Sequence, residues 1–261
     1  MRLVRFNRTE FKRQRWTYDA GEHALFSQPS QGGKTEWMFD LAGSTDFGDG
    51  VAPPAAMIMK AVDPTPAKWA ARLGYQETPT WPPRRKLFGS KPPGYVLWPR
   101  HDLSMAPDAL ERTAANQERE FRKLFLTARA GRQPILADEI YGLVAELNLR
   151  AQVIEAASRG AGAKSPIWYT MQRLQGTQGV SIPGHLLNCP THYFFGFDPV
   201  ENNRKAYAQI GGINAPLVMD AVSNLTVTPI RTPHGVKYIS DLLYVNKNGP
   251  RGGYLCLIGP T

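Results

Sequence analysis

The sequence predicts an α/β protein whose mostly parallel sheet is flanked by helices and followed by a C-terminal β-hairpin, all in one domain over residues 1–261. Continuous apolar runs of strand length, such as AAMIMKAVD at 55–63 and PILADE at 134–139, are typical of strands buried on both faces of a parallel sheet. Segments with helical spacing lie between such runs, and this alternation favours parallel connections. Near the C-terminus, two further apolar runs flank KNGPRGG, which is a hairpin signal.

The elements of the N-terminal half follow from local patterns. Trp37, Met38 and Leu41 have helical spacing after a short apolar run, so we expect a strand and then a helix. Proline and tryptophan are frequent between 64 and 100, which predicts an irregular excursion. In chain order, the predicted elements are a basic N-terminal arm or strand at 1–21, a strand at 23–28, a helix at 34–42, a strand at 55–63, and the excursion at 64–100 with a short strand at 95–99.

The C-terminal half continues the alternation. Pro107 and Asp108 indicate a helix start, and Gly131 indicates its end. In chain order, the predicted elements are this helix at 106–131, a strand at 134–139, a helix at about 140–158, strands at 166–172 and 191–197, a helix at 201–212, and the terminal hairpin at 236–258.

Composition limits the classes of function. The formal net charge is +9, which suits a polyanionic partner such as nucleic acid. Two cysteines are too few for a disulfide framework or a zinc site. The basic N-terminus lacks the apolar core of a secretory signal, and no apolar run approaches the about 18 residues of a membrane span. We therefore expect a soluble, intracellular protein with no membrane partner.

The segment FSQPSQGGKTEW resembles a phosphate-binding loop, G-x-x-x-x-G-K-[ST], with Gln28 where the first glycine belongs. Lys34 would reach the β- and γ-phosphates of a nucleotide, and the Thr35 hydroxyl would hold Mg²⁺. The alternative is an ordinary helix N-terminus in which GGKT occurs by chance. The predicted nucleotide-binding residues of this loop are Gln28, Pro29, Ser30, Gln31, Gly32, Gly33, Lys34 and Thr35.

Polar side chains also end two other predicted strands. ILADE ends in Asp138 and Glu139, the Walker B pattern, on the strand edge where open α/β sheets bind ligands. Asp138 is predicted to bind nucleotide-associated Mg²⁺, and Glu139 to act as general base. Gln172, at the end of IWYTMQ, is predicted to contact the γ-phosphate or the attacking water. The alternatives are an exposed helix start for the two acids and an ordinary strand-end glutamine for Gln172.

The spaced motifs QPSQGGKT, ILADE, SRGAG and TMQRLQG, followed by THYFFGF, resemble the HerA/FtsK superfamily of DNA-pumping P-loop ATPases over roughly residues 22–215. The resemblance implies a RecA-like ASCE P-loop core that uses ATP and Mg²⁺. It also implies a ring in which an arginine completes the neighbouring subunit's site, with Arg159 as first candidate and Arg150 as second. This sequence departs from the family pattern at Gln28 and at Leu174, where proline often follows the Gln-Arg pair.

A compact chain within this superfamily is similar to viral genome-packaging ATPases. The resemblance implies a pentameric or hexameric homo-oligomer that translocates double-stranded DNA in the host cytoplasm and docks transiently on a portal or capsid vertex protein of the procapsid. Basic groups that grip DNA phosphates without reading bases would serve such a motor. The candidates are Arg84, Arg85, Lys86, Lys91 and Arg173.

Two other functions remain open from the sequence. One is an ATP-binding oligomeric adaptor with little hydrolysis, which Gln28 favours. The other is a cellular HerA/FtsK-like translocase or helicase. For the basic run at 84–86, the alternative is a plain solvated loop.

Overall fold

The computed structural model describes residues 3–29, 32–84, 90–172, 174, 182–198, 205–232, 235–249 and 254–259. The strands are β1 (Arg5–Phe6), β2 (Ala24–Ser27), β3 (Ala55–Met57), β4 (Gln76–Thr78), β5 (Tyr95–Leu97), β6 (Ile135–Ala137), β7 (Ile167–Met171), β8 (His192–Phe195), β9 (Val227–Thr232), β10 (Gly235–Ser240), β11 (Leu242–Asn246) and β12 (Tyr254–Ile258). The helices are α1 (Arg8–Gln14), α2 (Lys34–Ala42), α3 (Pro64–Leu73), α4 (Ala109–Gly131), α5 (Ile140–Ala145), α6 (Arg150–Arg159), α7 (Gly184–Asn188) and α8 (Ala215–Ser223), with a 3-10 helix at Lys205–Gln209.

Ten strands form the main sheet, in the order β1-β12-β11-β8-β2-β7-β6-β3-β5-β4. All neighbours from β8 to β4 pair in parallel, whereas β11 is antiparallel to both β8 and β12. The strands β9 and β10 form a separate antiparallel pair. The predicted α/β class is therefore confirmed, with its mostly parallel sheet, flanking helices and C-terminal hairpin.

The central strands are buried on both faces, which explains their continuous apolar sequences. In β6, Ile135 and Ala137 pack toward one helical layer, while Leu136 packs toward the other. The first layer contains α4 to α8, and the second contains α1, α2 and α3. This alternation follows from the two-residue repeat of a β-strand.

The N-terminal segment belongs to the second layer. Asn7 and Glu10 form a capping box that starts α1. Phe11 of α1 is fully buried, and its ring centroid lies 4.8 Å from that of Tyr244. Arg5 donates two hydrogen bonds to the buried carboxylate of Asp241, both at 2.8 Å. These contacts attach the segment to the sheet at both of its elements.

The expected irregular excursion at 64–100 is wrong in part, because α3, β4 and β5 lie within it. Pro64 occupies the first helical turn, where the missing N–H costs nothing, so it starts α3 rather than breaking it. Asp63 caps the helix by accepting from the Thr65 N–H, and Gly74 ends it at φ +69°. The predicted short strand is confirmed as β5.

Three other predicted boundaries also need correction. The helix expected at 140–158 is divided into α5 and α6, and Asn148 between them is in the left-handed region at φ +50°. In place of the helix expected at 201–212, the described part holds the short 3-10 helix at Lys205–Gln209. The first arm of the expected hairpin is two strands, because the chain leaves β10 at Asp241 and enters the main sheet as β11.

In the described part of the chain, no helix has the length and apolar character needed to cross a membrane.

Candidate active site

The predicted site residues converge at the carboxyl edge of the sheet. The strands β2, β7 and β6 are neighbours, and Ser27 pairs with Met171 while Ala137 pairs with Tyr169. The segments that follow these three strands therefore emerge side by side, where open α/β sheets bind ligands. The described residues of the loop follow β2, the two acids follow β6, and Gln172 follows β7.

The side chain of Gln28 is turned into the protein. It is 2% exposed, and its backbone N–H donates to the Met171 carbonyl at 3.2 Å. Two glycines make room for it. A Cβ on Gly196 would lie 2.5 Å from the Gln28 Cγ, and a Cβ on Gly32 would lie 2.5 Å from its Oε1. The sequence does not indicate this burial, because Gly196 is distant in the chain. Pro29 is exposed, and Ser30 and Gln31 lie outside the described residues.

The helix α2 begins at Lys34, directly after the two glycines of the loop. Gly33 caps it at φ +89°, and no atom of the described residues lies within 4 Å of where a Cβ would stand. The first N–H groups of a helix have no partner within that helix, so this start of α2, with open space beside Gly33 among the described residues, is suited to phosphate. Lys34, the first helical residue, is only 8% exposed. Burial lowers the pKa of its ammonium, while the nearby carboxylates of Glu139 and Asp138 oppose this effect.

Thr35 and Asp138 are in direct contact. The Thr35 hydroxyl donates to Asp138 Oδ1 at 2.6 Å, and the carboxylate is 5% exposed. The buried hydroxyl of Thr170, on β7, donates to the same oxygen at 3.1 Å. Thr170 also accepts from the Glu139 backbone N–H at 2.9 Å. Thr170 thus fixes both acids from the neighbouring strand. The sequence does not predict this role, because Thr170 is a single polar residue inside the apolar run of β7.

Glu139 is held in an unusual backbone conformation. It is the N-cap of α5 at φ +65° and ψ +75°, in the left-handed region, where a side chain with a Cβ costs about 1–3 kcal/mol. Gln172 donates to Glu139 Oε2 at 3.0 Å. Burial raises the pKa of the Glu139 carboxyl, and the adjacent Lys34 ammonium opposes this effect. A glutamate with a raised pKa, held by an amide, is suited to proton abstraction.

Lys60 is a second cation at this edge that sequence reasoning missed. It follows β3, the strand next to β6, and donates to Asp63 at 3.2 Å. Partial burial would lower the pKa of its ammonium, but the carboxylates of Asp138, Asp63 and Glu139 raise it overall. The sequence contains one signal for it, because Lys60 is a polar residue shortly after the apolar run of β3.

Arg159 lies at the opposite edge of the sheet. It ends α6 beside Gly160, which packs against His23 just before β2 begins. Arg159 is exposed and lies 3.6 Å from Glu155. Arg150 begins α6 and is also exposed. The structure therefore does not bring Arg159 together with Lys34 and Glu139 of the same chain.

The candidate DNA contacts are only partly described. Arg84 is exposed and lines a surface groove of about 500 Å³ after β4, together with Arg100 and Asn116. Because β4 is parallel to its one neighbour, β5, this groove lies at the same edge as the acids. Lys91 is exposed. Arg85, Lys86 and Arg173 lie outside the described residues.

The residues present fit Mg²⁺ and a nucleoside triphosphate. The Thr35 hydroxyl and Asp138 carboxylate form an adjacent pair of hard oxygen donors, the type that Mg²⁺ prefers. Lys34 is a buried cation next to an open helix N-terminus, which favours an anionic ligand. The site can therefore bind phosphate oxygens on one side and orient a water molecule near Glu139 on the other.

Comparisons with known proteins identify the fold. No protein-family model and no curated protein sequence matches this chain. Among solved structures, it is similar to the genome-packaging NTPase B204 of Sulfolobus turreted icosahedral virus 2 in complex with sulfate, at a TM-score of 0.57 and 10% identity over 94% of this chain and 98% of that chain. The same protein in complex with AMPPCP gives 0.54 and 10% identity over 93% and 100%. B204, the DNA-packaging ATPase of Sulfolobus turreted icosahedral virus, gives 0.52 and 10% identity over 94% and 100%. This chain therefore has the fold of these packaging NTPases.

Proposed function

We propose that this protein is a ring-forming, ATP-driven translocase of double-stranded DNA that packages a viral genome. One observation carries the proposal: beyond the carboxyl ends of the adjacent strands β2, β7 and β6, the structure brings together Lys34, Thr35, Asp138 and Glu139. A buried lysine, a hydroxyl–carboxylate pair and a strained glutamate together supply the groups that phosphoryl transfer needs.

In this proposal each residue has a separate task. Lys34 and the start of α2 bind the β- and γ-phosphates, and Thr35 and Asp138 hold Mg²⁺. When bound, Mg²⁺ neutralises charge on the phosphate oxygens. Glu139 accepts the proton of the attacking water, and Gln172 holds the Glu139 carboxylate in position. Thr170 keeps Asp138 and Glu139 in register.

The fold supports a packaging role, since the similar structures are described as genome-packaging NTPases, one of them in complex with ATP-gammaS. The position of Arg159 supports the ring, for which we propose five or six subunits. Because it lies at the edge opposite Glu139, it is suited to a neighbour's site rather than its own. A trans arginine of this kind is worth about 10³–10⁵ in rate. In this proposal, the ring docks on a portal or capsid vertex protein.

The adaptor function loses its main support in the orientation of Gln28. The side chain is packed against Gly196 and does not fill the open space in front of Gly33. Gln28 therefore leaves room for phosphate, and the loop does not need glycine at this position for the ligand to enter.

Steady-state ATP hydrolysis, with and without long double-stranded DNA, tests the proposal. Glu139→Gln should abolish turnover, while Glu146→Gln, an exposed acid at the end of the same helix, should retain it. DNA should stimulate the wild-type protein. ATP binding without turnover in the wild type, at concentrations that favour assembly, would contradict the stand-alone motor and favour the adaptor.

A mixing experiment tests the trans arginine. Arg159→Ala and Glu139→Gln should each be inactive alone, but mixed rings contain sites with an intact Glu139 and a neighbour's intact Arg159. Activity should therefore reappear on mixing. If mixing Arg150→Ala with Glu139→Gln restores activity and the Arg159→Ala mixture does not, Arg150 is the trans residue.

DNA contacts are tested by salt dependence. Arg84→Ala and Lys91→Ala should each lower DNA-stimulated turnover and reduce the slope of binding against log salt by about one unit per phosphate contact. Basal turnover should not change. A variant with an unaltered slope has no phosphate contact at that position.

A further inference from the structure

A cavity of about 590 Å³ lies far from the candidate active site, at the amino edge of the sheet. The C-terminal turns of α4, the helix α6 and the turn at 160–165 before β7 enclose it, and Ile135 of β6 lies at its floor. This volume is within the range of small-molecule sites, about 300–1,000 Å³. None of the residues given a role above lines it.

The charged residues that line the cavity are mostly basic. Arg129, Arg132 and Lys164 line it and are exposed at its mouth, against one acid, Glu155. Glu155 is already shared between Arg129 at 3.3 Å and Arg159 at 3.6 Å. Among the described residues, no ion pair is formed by Arg132 or Lys164. An anion in the cavity would therefore meet cations that lack an acidic partner in the described structure.

Two of these cations occupy backbone positions that favour glycine. Arg132, the C-cap of α4, has φ +49°, and Lys164 has φ +53°. Glycine is the usual residue at such a helix end, and Gly131 stands one position too early to supply it. Apart from Asn148, the only other described non-glycine residue with positive φ is Glu139, at the candidate active site. Strain of this kind collects where the side chain itself is needed.

The inner wall combines apolar surface with an unused polar atom. Phe125, Ile135 and Ala156 form part of the wall. The Oε1 atom of Gln152 is buried there and has no hydrogen-bond partner among the described residues. A site with cations at the mouth, an apolar wall and an unpaired amide oxygen fits a ligand with a phosphate at one end and an organic part that carries a hydrogen-bond donor at the other.

We propose that this cavity is a second ligand site, which binds a phosphate-bearing organic anion of mononucleotide size. Arg129, Arg132 and Lys164 bind the phosphate, and the inner wall with Gln152 receives the organic part. Occupancy draws Arg129 away from Glu155 and leaves that carboxylate to Arg159 alone. The cavity is thereby connected to the exposed arginine at the end of α6.

Titration calorimetry with AMP, inorganic phosphate and duplex DNA tests this proposal. The full chain carries Lys34→Ala, so that binding at the phosphate loop is removed. Arg132→Gly and Lys164→Gly delete one cation each at positions where glycine relieves strain, so both variants should fold with unchanged or higher melting temperature. Arg129→Gln, at an exposed helical position, is the third variant. Arg122→Ala, on the same helix but outside the cavity, is the matched control.

AMP should bind at one site, at least about tenfold more tightly than inorganic phosphate, because phosphate cannot use the apolar wall. Each cavity variant should weaken AMP binding by about tenfold or more, and the control by no more than about twofold. Absence of AMP binding, or AMP binding that is indifferent to Arg132→Gly and Lys164→Gly, would overturn the proposal. Loss of duplex DNA binding without any AMP binding would also overturn it and identify a DNA contact instead.

Discussion

Gln28, the unusual residue of the candidate phosphate loop, should be energetically coupled to Gly196, which follows the neighbouring strand β8. Gly196 is buried just after β8, and its N–H donates to the Ser27 carbonyl at 2.8 Å. Its missing Cβ is what admits the Gln28 side chain. The perturbation is therefore Gly196→Ala, alone and combined with shortening of Gln28.

The expected cost follows from the contacts that the new methyl group would make. It would lie 2.5 Å from the Gln28 Cγ, whereas carbon atoms prefer about 3.5–4.0 Å. Overpacking of this degree costs about 1–3 kcal/mol, so Gly196→Ala should destabilise the protein by about 2 kcal/mol. With Gln28→Ala, the nearest remaining atom is Cβ at 3.1 Å, which removes most of the clash. With Gln28→Gly, all three of the nearest contacts, to Cγ, Cδ and Cβ, are removed.

Urea unfolding of the four proteins in the cycle of Gly196→Ala and Gln28→Gly measures this coupling. Gly196→Ala should cost about 2 kcal/mol in the wild-type background and close to zero beside Gln28→Gly, with Gln28→Ala in between. If the free-energy cost of the double variant equals the sum of the two single costs within about 0.5 kcal/mol, the argument that Gly196 makes room for the Gln28 side chain is refuted.

Three further predictions concern single contacts. Burial lowers the pKa of His23 from 6.5 to about 4, so between these pH values the unfolded chain binds a proton that the folded protein does not, and the folded protein loses about 3 kcal/mol of stability as the pH falls. In urea unfolding at the two ends of this pH range, His23→Asn should lose less stability than the wild type. An identical loss would argue against a lowered His23 pKa as the cause. If Glu139 is the general base, as we propose, Thr170→Val should lower ATP turnover by about a hundredfold while costing only about 1–2 kcal/mol in stability, since it releases Glu139; unchanged kcat would mean that Thr170 does not position Glu139 for turnover. Arg5→Met should cost about 2 kcal/mol in urea unfolding and speed hydrogen exchange in β1, because it leaves the buried Asp241 carboxylate without its cation; an unshifted midpoint would mean that Asp241 is solvated without Arg5.

The central architecture was predictable because its signals are local. Each buried strand is a continuous apolar run, and the polar residues Gln28, Asp138 and Gln172 stand directly where such runs end. Since parallel strands end at one edge, their proximity follows from the fold class alone. The helix at 34–42 and its N-terminal glycine were likewise contained in a short window of sequence.

The supporting contacts were not predictable because they join distant segments. The space for Gln28 depends on Gly196, and the contact of Thr170 with Asp138 depends on the register of β6 against β7. The excursion at 64–100 failed for a different reason. Frequent prolines predict irregular structure, but Pro64 lies in the first helical turn, where proline is favourable.

The sheet separates two kinds of chemistry in this molecule. The groups suited to hydrolysis lie at the carboxyl edge, where Lys34 and Glu139 each have a pKa shifted against its charged form by burial. An anionic ligand with its metal ion would relieve the lysine, while the glutamate stays poised to take a proton. Arg159 and the cationic cavity lie at the amino edge, connected by Glu155. If Arg159 acts at a phosphate site, as we propose, that site belongs to a second subunit, whose carboxyl edge would meet the amino edge of the first, because Arg159 lies at the edge opposite Glu139 of its own chain. A head-to-tail contact of this kind repeats with the same sense at every subunit, and closed rings are its finite form.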